Sequence, residues 1–274
     1  MSAAWTGELE LEFAKRNQQT VLTRNYTVAP WKVQRSLYPE GEEICHCIIL
    51  HTAGGLVGGD RLSTKINLQP QTRVLITSAA ASKIYRSTGE ETIQNIHIHV
   101  GEGAALEWFP QETIAFAKAK YHQKMRVDLA DGATLIMWEI VRFGRTAMGE
   151  RFIDGNWRSH TEVWRGQNPL WIDRQYLHGN SEMLDSPNGL DGQAIAASLV
   201  FVGATVEPEL ITQIRSIWEQ GDYQGTAGVT RSLCGLVCRY RGNSSSEARH
   251  WFQQVWQLLR VFYSNKAICV PRVW

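Results

Sequence analysis

The residues best able to do chemistry in this chain are a few metal-capable side chains and one glycine-dense segment. Cys45-His46-Cys47 sets two thiols two residues apart, so an extended backbone puts both on one face. His97 and His99 share a strand face in the same way, as do Cys234 and Cys238. None of these matches the C-x₂-C or H-x₃₋₅-H spacing of a closed zinc site. Cysteine is also commonly a small buried hydrophobe, so no resident metal site is expected. The stretch His51-Thr-Ala-Gly54-Gly55-Leu-Val-Gly58-Gly59-Asp60 carries four glycines in six residues. It lacks the Gly-Lys-Ser/Thr ending of a phosphate loop, so no lysine would meet β/γ-phosphates and no hydroxyl would meet Mg²⁺. It reads either as a tight turn in which Asp60 accepts from backbone N–H groups, or as part of a polar channel or interface.

Three further segments present polar groups. Thr77-Ser-Ala-Ala-Ala-Ser-Lys83-Ile-Tyr85-Arg86 places Lys, Tyr and Arg after small residues. These side chains pair with carboxylates, of this chain or of a partner, or cover a solvated face. In Leu106-Glu-Trp-Phe-Pro110-Gln111-Glu112-Thr, the proline ends strand pairing. Gln111 and Glu112 then sit at a strand boundary, a place for functional groups or for a plain surface turn. Gly144-Arg145-Thr-Ala-Met-Gly149-Glu150-Arg151-Phe152 is a charged, glycine-flanked loop suited to a partner contact. No G-x-S-x-G, H-E-x-x-H or kinase signature occurs. The acidic pairs Glu42-Glu43 and Glu90-Glu91 fall in turn-like sequence, and nothing assigns one as acid and the other as base. No catalytic residue is expected.

The elements that must position these groups are mostly strands. Glu8 to Phe13, Leu62 to Leu68 and Lys124 to Leu129 alternate polar and apolar residues with period two. Ile96, Ile98 and Val100 share one face, with His97 and His99 on the other. Ile44 to Leu50 and Thr134 to Val141 are apolar on both faces and read as interior strands. Leu68-Gln-Pro-Gln-Thr-Arg-Val74, Val100-Gly-Glu-Gly-Ala-Ala-Leu106 and Leu129-Ala-Asp-Gly-Ala-Thr-Leu135 share a design of strand end, tight turn and new strand. Trp164-Arg-Gly-Gln-Asn-Pro-Leu170 reads as a degraded fourth copy. The spacings of 32, 29 and 35 residues point to stacked units, because one such unit cannot bury its apolar face alone. A mainly β, β-helix-like or irregular stacked-sheet architecture follows, with a β-sandwich as the alternative.

Two helices near the C-terminus complete the plan. Pro208 opens the first, with Leu210, Ile211, Ile214, Ile217 and Trp218 on one face and Gly221 at its end. Ser244 and Glu247 have capping-box spacing for the second, followed by Trp251, Phe252, Val255, Leu258, Leu259 and Phe262. Val229 to Tyr240 between them is strand-like, and Ser181 to Gly192 is the best loop candidate. Segregated strands and helices argue against a Rossmann or TIM-barrel plan.

Composition sets the outer limits. A net charge of +1 is too weak for a dedicated nucleic-acid binder. No run of 18 apolar residues exists to span a membrane. Met1 to Arg16 alternates Glu with apolar residues and lacks the basic start of a signal peptide. Five cysteines, an odd count at irregular spacing, fit reduced thiols in a cytoplasmic protein. With 274 residues and no Pro/Gly/Ser-rich linker, a single domain over 1–274 is expected. Eleven tryptophans supply area for a thick core or for partner surfaces.

Taken in order, these segments resemble the signatures of the UreD/UreH family of urease accessory proteins. His51 to Asp60 resembles its glycine-rich signature, Thr77 to Arg86 the next and Trp108 to Phe116 the third. Gly149-Glu150-Arg151-Phe152 and Pro271-Arg272-Val273-Trp274 also fit, and the last of these ends the chain, so a complete protein is expected. The resemblance implies a non-enzymatic scaffold in a hetero-oligomeric complex. It implies partners: apo-urease, the accessory protein UreF and the GTPase UreG. It also implies nickel as transient cargo, with no permanently bound cofactor, passing through an internal polar tunnel. Imidazole suits Ni(II), so His97 or His99 is open to a passing contact. A tunnel needs groups that replace water briefly and still release the ion. His51, Asp60 and Glu112 lie within the matching motifs and are the lining candidates. Gly54, Gly55, Gly58, Gly59, Lys83, Tyr85, Arg86 and Gln111 are candidates for shaping it or meeting a partner. The rival readings are a β-helix carbohydrate-active enzyme, favoured by aromatic richness, and a plain interaction module without metal traffic.

Overall fold

The computed structural model describes residues 4–274. Met1 to Ala3, the start of the segment read above as lacking a signal pattern, lie outside the described residues. Strands hold 49% of the residues and helices 15%, so the mainly-β expectation holds. β1 (Thr6–Arg16) and β2 (Gln19–Val28) pair antiparallel, and β3 (Trp31–Val33) precedes β4 (Ile44–His51). The chain then winds through β5 (Arg61–Leu68), β6 (Arg73–Ser78), β7 (Ser82–Ile84), β8 (Thr92–Val100), β9 (Ala105–Phe109), β10 (Thr113–Ala115), β11 (Lys120–Leu129), β12 (Thr134–Phe143) and β13 (Asn156–Arg165). β1, β5, β8, β11 and β13 lie parallel in one sheet, called sheet A. β4, β6, β9 and β12 lie parallel in the second, sheet B. Each circuit therefore lays one strand on each wall beside the previous rung, which is a solenoid. A short third wall is built by Leu56 against Ile84 and by β7, β10 and the end of β12.

The repeat seen in the sequence is the corner from sheet A to sheet B. Gln71, Gly103 and Gly132 occupy it with φ of 62°, 61° and 66°, one left-handed residue per rung. Successive corners are bonded: Gln71 N donates to Glu102 O and Gly103 N to Asp131 O. The fourth copy departs from the expectation. Its left-handed residue, Gly166 (φ 58°), closes a hairpin between β13 and β14 (Asn168–His178), so the chain turns back within sheet A.

The outer face of sheet A meets water and its strands alternate. Leu9, Leu11 and Phe13 are buried, and so are Ile96, Ile98 and Val100, with His97 and His99 outside. The central strands of sheet B, β4, β6, β9 and β12, are covered on both faces, which explains their uninterrupted apolar runs. Cys45, Cys47, Leu135 and Met137 face the solenoid interior, while Ile136, Trp138 and Ile140 pack under the helical layer.

After β14 come α1 (Ser181–Asp185), β15 (Ile195–Val202), α2 (Pro208–Gln220), β16 (Thr226–Ser232), β17 (Gly235–Gly242) and α3 (Ser245–Ser264). β15, β17 and β16 extend sheet B antiparallel, so the strand-like stretch Val229 to Tyr240 is a hairpin rather than one strand. The expected loop at Ser181 to Gly192 begins with the short α1, capped by Asn180 accepting from Met183 N. Half of the expected capping box forms. Ser244 Oγ accepts from Glu247 N, but the Glu247 carboxylate takes Gln224 N, Gly225 N and Tyr240 OH instead. Phe262, expected on the buried face of α3, is 41% exposed, while Leu259, Arg260 and Tyr263 of the same turns are the residues that pack on the sheet. A buried ion network clamps α3 to sheet B. Arg260 binds Glu107 (2.7 Å) and Glu40 (2.7 Å), Tyr263 donates to Glu107 (2.8 Å), and His46 pairs with Glu40 (2.7 Å).

Candidate functional site

The strand registers place polar side chains in one line inside the solenoid. On sheet A, Gln94 pairs with Gln123, Gln123 with Ser159, and Ser159 with Gln175. All four sit at inward positions. On sheet B, Glu139 pairs with Ser198 and Ser198 with Arg239, again on the inner face. Paired residues lie across the strands, so both columns run along the solenoid axis. Apolar packing flanks them. Ile96, Met125 and Met137 belong to the core on one side, and Tyr121, Trp157 and Val141 to the core on the other.

These groups bond one another. Tyr121 OH donates to Gln94 Oε1 at 2.7 Å. Gln123 Nε2 donates to Glu139 Oε1 at 2.9 Å, and Ser159 Oγ lies 3.1 Å from both Glu139 oxygens. At the far end Arg239 Nη2 meets Asp173 Oδ1 at 2.8 Å, and Gln175 donates to Asp173 Oδ2 at 2.7 Å. Burial pushes the Glu139 carboxyl up to about 7, with the Asp173 charge adding to it. Bonds from Ser159 and Gln123 and the Arg239 charge oppose that rise. Glu139 is enclosed by protein yet keeps partial water accessibility, as a side chain facing an internal space does. Of this row Ser159 and Ser198 are buried, Arg239 is exposed and the others are half-buried, and such polar groups stabilise an interior less than apolar side chains of equal volume.

The near end of the file opens into a cavity of about 260 Å³. Gln94, Thr64, Trp108 and Trp31 line it, with His51 and the 79–83 segment around it. His51 Nδ1 lies 3.1 Å from Ala53 O, so that nitrogen carries the proton and donates. Among the described residues the buried Nε2 has no partner, which leaves its lone pair available inside the wall. Burial lowers the His51 pKa below the ordinary imidazole value, against the Ala53 bond and the Asp60 charge.

Of the residues singled out from the sequence, His51, Gly54, Gly55 and Lys83 line this cavity. Gly55 is held against Lys83 O and the Tyr85 ring, each 2.6 Å from where a Cβ would stand, so no side chain fits. Tyr85 OH donates to Gly54 O at 3.0 Å and its ring meets Phe116 edge-on. Asp60 lies away from the cavity and is fully buried. Its two oxygens accept from Trp5 N and Val57 N, each at 2.8 Å, which is the turn-closing arrangement. Gly58 packs against Ser87 and Glu90, and Gly59 has φ +93° in the same turn. Arg86 is exposed. Gln111 N donates to Ser78 Oγ and its side chain to Val273 O, and Glu112 pairs with Arg249 of α3. The glycine-rich, Lys/Tyr and Gln/Glu segments thus meet along the third wall, but Asp60, Gln111 and Glu112 hold that wall together and do not face the cavity.

Sequence reasoning missed the file itself. The available signal was a polar residue at an inward position of an alternating strand. Gln123 stands between Tyr121 and Met125, Ser159 between Trp157 and Thr161, and Glu139 alone carries charge in Thr134 to Val141. Among the described residues, no three His, Cys, Asp or Glu side chains converge as a metal site. No helix among them is long and apolar enough to cross a membrane.

Fold and file define the class: a β-solenoid with two main sheets and a row of hydrogen-bonded polar side chains between them. A family model described as UreD urease accessory protein matches residues 6–274. Proteins named urease accessory protein UreD are similar over nearly their whole length. That of Nostoc punctiforme is 54% identical over 274 residues, covering 100% of this chain and 97% of the relative. That of Trichormus variabilis is 55% identical over 270 residues, covering 98% and 96%. That of Synechocystis sp. is 40% identical over 259 residues, covering 94% and 96%. The chain belongs to the UreD family of urease accessory proteins.

Proposed function

We propose that this chain is a cytoplasmic scaffold that binds apo-urease, recruits UreF and UreG, and conducts nickel to the urease active site through its axial polar file. GTP hydrolysis belongs to UreG, and nickel is cargo rather than a resident cofactor. The observation that carries this reading is the axial succession of Gln94, Gln123, Ser159 and Glu139 between two apolar cores, linked by hydrogen bonds and continued by strand register to Gln175 and Asp173. Amide, hydroxyl and carboxylate oxygens replace part of an ion's hydration shell, and sparse, separated charges let the ion leave again. The neutral imidazole of His51 supplies one borderline-soft ligand at the cavity end. Asp60 and Glu112 hold the cavity wall, Lys83 lines it, Tyr85 braces Gly54 behind it, and exposed Arg86 is open to a partner. The homologues' own description as accessory proteins favours a scaffold over a carbohydrate-active enzyme.

The test is nickel-dependent activation of apo-urease by the reconstituted complex. Gln123→Leu and Ser198→Leu fill the file with aliphatic volume without touching the outer surface. Each is expected to slow activation at least about tenfold while complex assembly, followed by co-purification, stays intact. Activation at the wild-type rate in both variants would remove the passage from the mechanism.

A further inference from the structure

An ion pair closes the far end of the file. Arg239 belongs to β17 in sheet B, and Asp173 to β14, the edge strand of sheet A. Among the described residues β14 pairs only with β13, so no backbone ladder joins these two strands, and the side-chain contact at 2.8 Å spans the gap between the walls. Arg239 is 45% exposed and Asp173 16%, so the guanidinium borders solvent while the carboxylate turns inward. Behind Asp173 stand Gln175, Ser159 and Glu139, bonded or paired in that order. Asp173 and Glu139 are the carboxylates of the file, and both lie within the electrostatic reach of Arg239.

A divalent ion approaching this end meets a fixed positive charge and a carboxylate already neutralised by it. We propose that Arg239 gates the far end of the file: docked on Asp173 it bars divalent cations, and drawn aside it leaves Asp173 and Glu139 as the oxygen ligands on which such an ion pauses before release. The proposal rests on the passage reading above. Displacement requires only a change of rotamer in a half-exposed side chain. A pair this exposed holds weakly, and an acidic group on a docking protein competes for the guanidinium. Oxygen ligands and a neighbouring negative charge then suit a hard or borderline divalent ion.

The experiment is equilibrium dialysis of the full chain against nickel chloride near pH 8, with circular dichroism to confirm folding. Arg239→Gln is expected to bind nickel at least about tenfold more tightly at one site, because one positive charge beside a divalent ion costs more than that at these distances. Arg239→Lys keeps the charge and is expected to match the wild type. Adding Asp173→Asn to Arg239→Gln is expected to abolish the gain. Equal nickel affinity in Arg239→Gln and wild type overturns the gate, as does a gain that survives Asp173→Asn. The two readings fail separately. If Gln123→Leu and Ser198→Leu block urease activation while Arg239→Gln leaves nickel binding unchanged, the gate falls and the passage stands. If the aliphatic plugs leave activation intact, the passage itself falls.

Discussion

Replacing Glu139 by glutamine should make the protein more stable at alkaline pH and leave it nearly unchanged under mildly acidic conditions. The native carboxyl holds its proton up to about 7 because burial penalises the charge, whereas the unfolded carboxyl loses it near 4.5. Between those values the folded state binds more protons than the unfolded state, so stability falls as pH rises through the window and levels off above it. The full difference corresponds to roughly 3 kcal/mol. About 2.5 kcal/mol of it is lost between pH 5 and pH 8 in the wild type. Glutamine keeps an oxygen for Gln123 and a polar contact for Ser159 but cannot ionise, so it escapes that loss. Histidines titrating in the same range are common to both proteins and cancel in the comparison. Urea unfolding at pH 5 and pH 8, followed by circular dichroism, measures the effect. Glu139→Gln should gain about 2.5 kcal/mol on the wild type across that interval, or roughly 4 °C in Tm. A stability gap that does not widen with pH, or a variant less stable at pH 8, would show that Glu139 is ionised in the native fold and would refute its placement in a desolvated file. The same substitution removes a charge from the proposed passage, so nickel-dependent urease activation should fall even as stability rises.

Three other outcomes are expected. Arg260→Met strands Glu107 and Glu40 beneath α3, and urea unfolding at pH 7.5 should show a loss of about 3–5 kcal/mol. Gly55→Ala forces a Cβ against Lys83 O and the Tyr85 ring, and thermal melts should reveal at least about 2 kcal/mol of destabilisation, with Gly54→Ala much milder. Trp274→Ala removes the indole packed on Trp138 at 4.9 Å and bonded to Thr77 Oγ1 at 2.8 Å, which should cost roughly 2 kcal/mol in the same assay.

The solenoid was legible because its corners repeat in the chain. Leu68 to Val74, Val100 to Leu106 and Leu129 to Leu135 share a pattern since each must turn sharply through one left-handed residue. Trp164 to Leu170 shows the limit of that signal. A hairpin within one sheet and a corner between two sheets demand the same local turn, and only the packing beyond it separates them. The helices were readable from period and caps, although the Glu247 carboxylate went to a neighbouring loop that local spacing could not foresee. Asp60 drew notice as a conspicuous acid in a conspicuous turn, and its carboxylate closes that turn on Trp5 N and Val57 N.

The amino-acid sequence by itself determined the strands, their winding, the late helices and the family, because these depend on periodicity, turn chemistry and ordered motifs within short spans. Tertiary structure alone decided the polar file. Gln94, Gln123, Glu139, Ser159 and Asp173 are scattered over some eighty residues, and each is an unremarked polar side chain in its own strand. They become one polar row only when strand register, parallel through β8, β11 and β13 and antiparallel to β14 and β15, stacks inward positions rung upon rung and the second sheet closes over them, since register is a relation between strands that no single strand encodes.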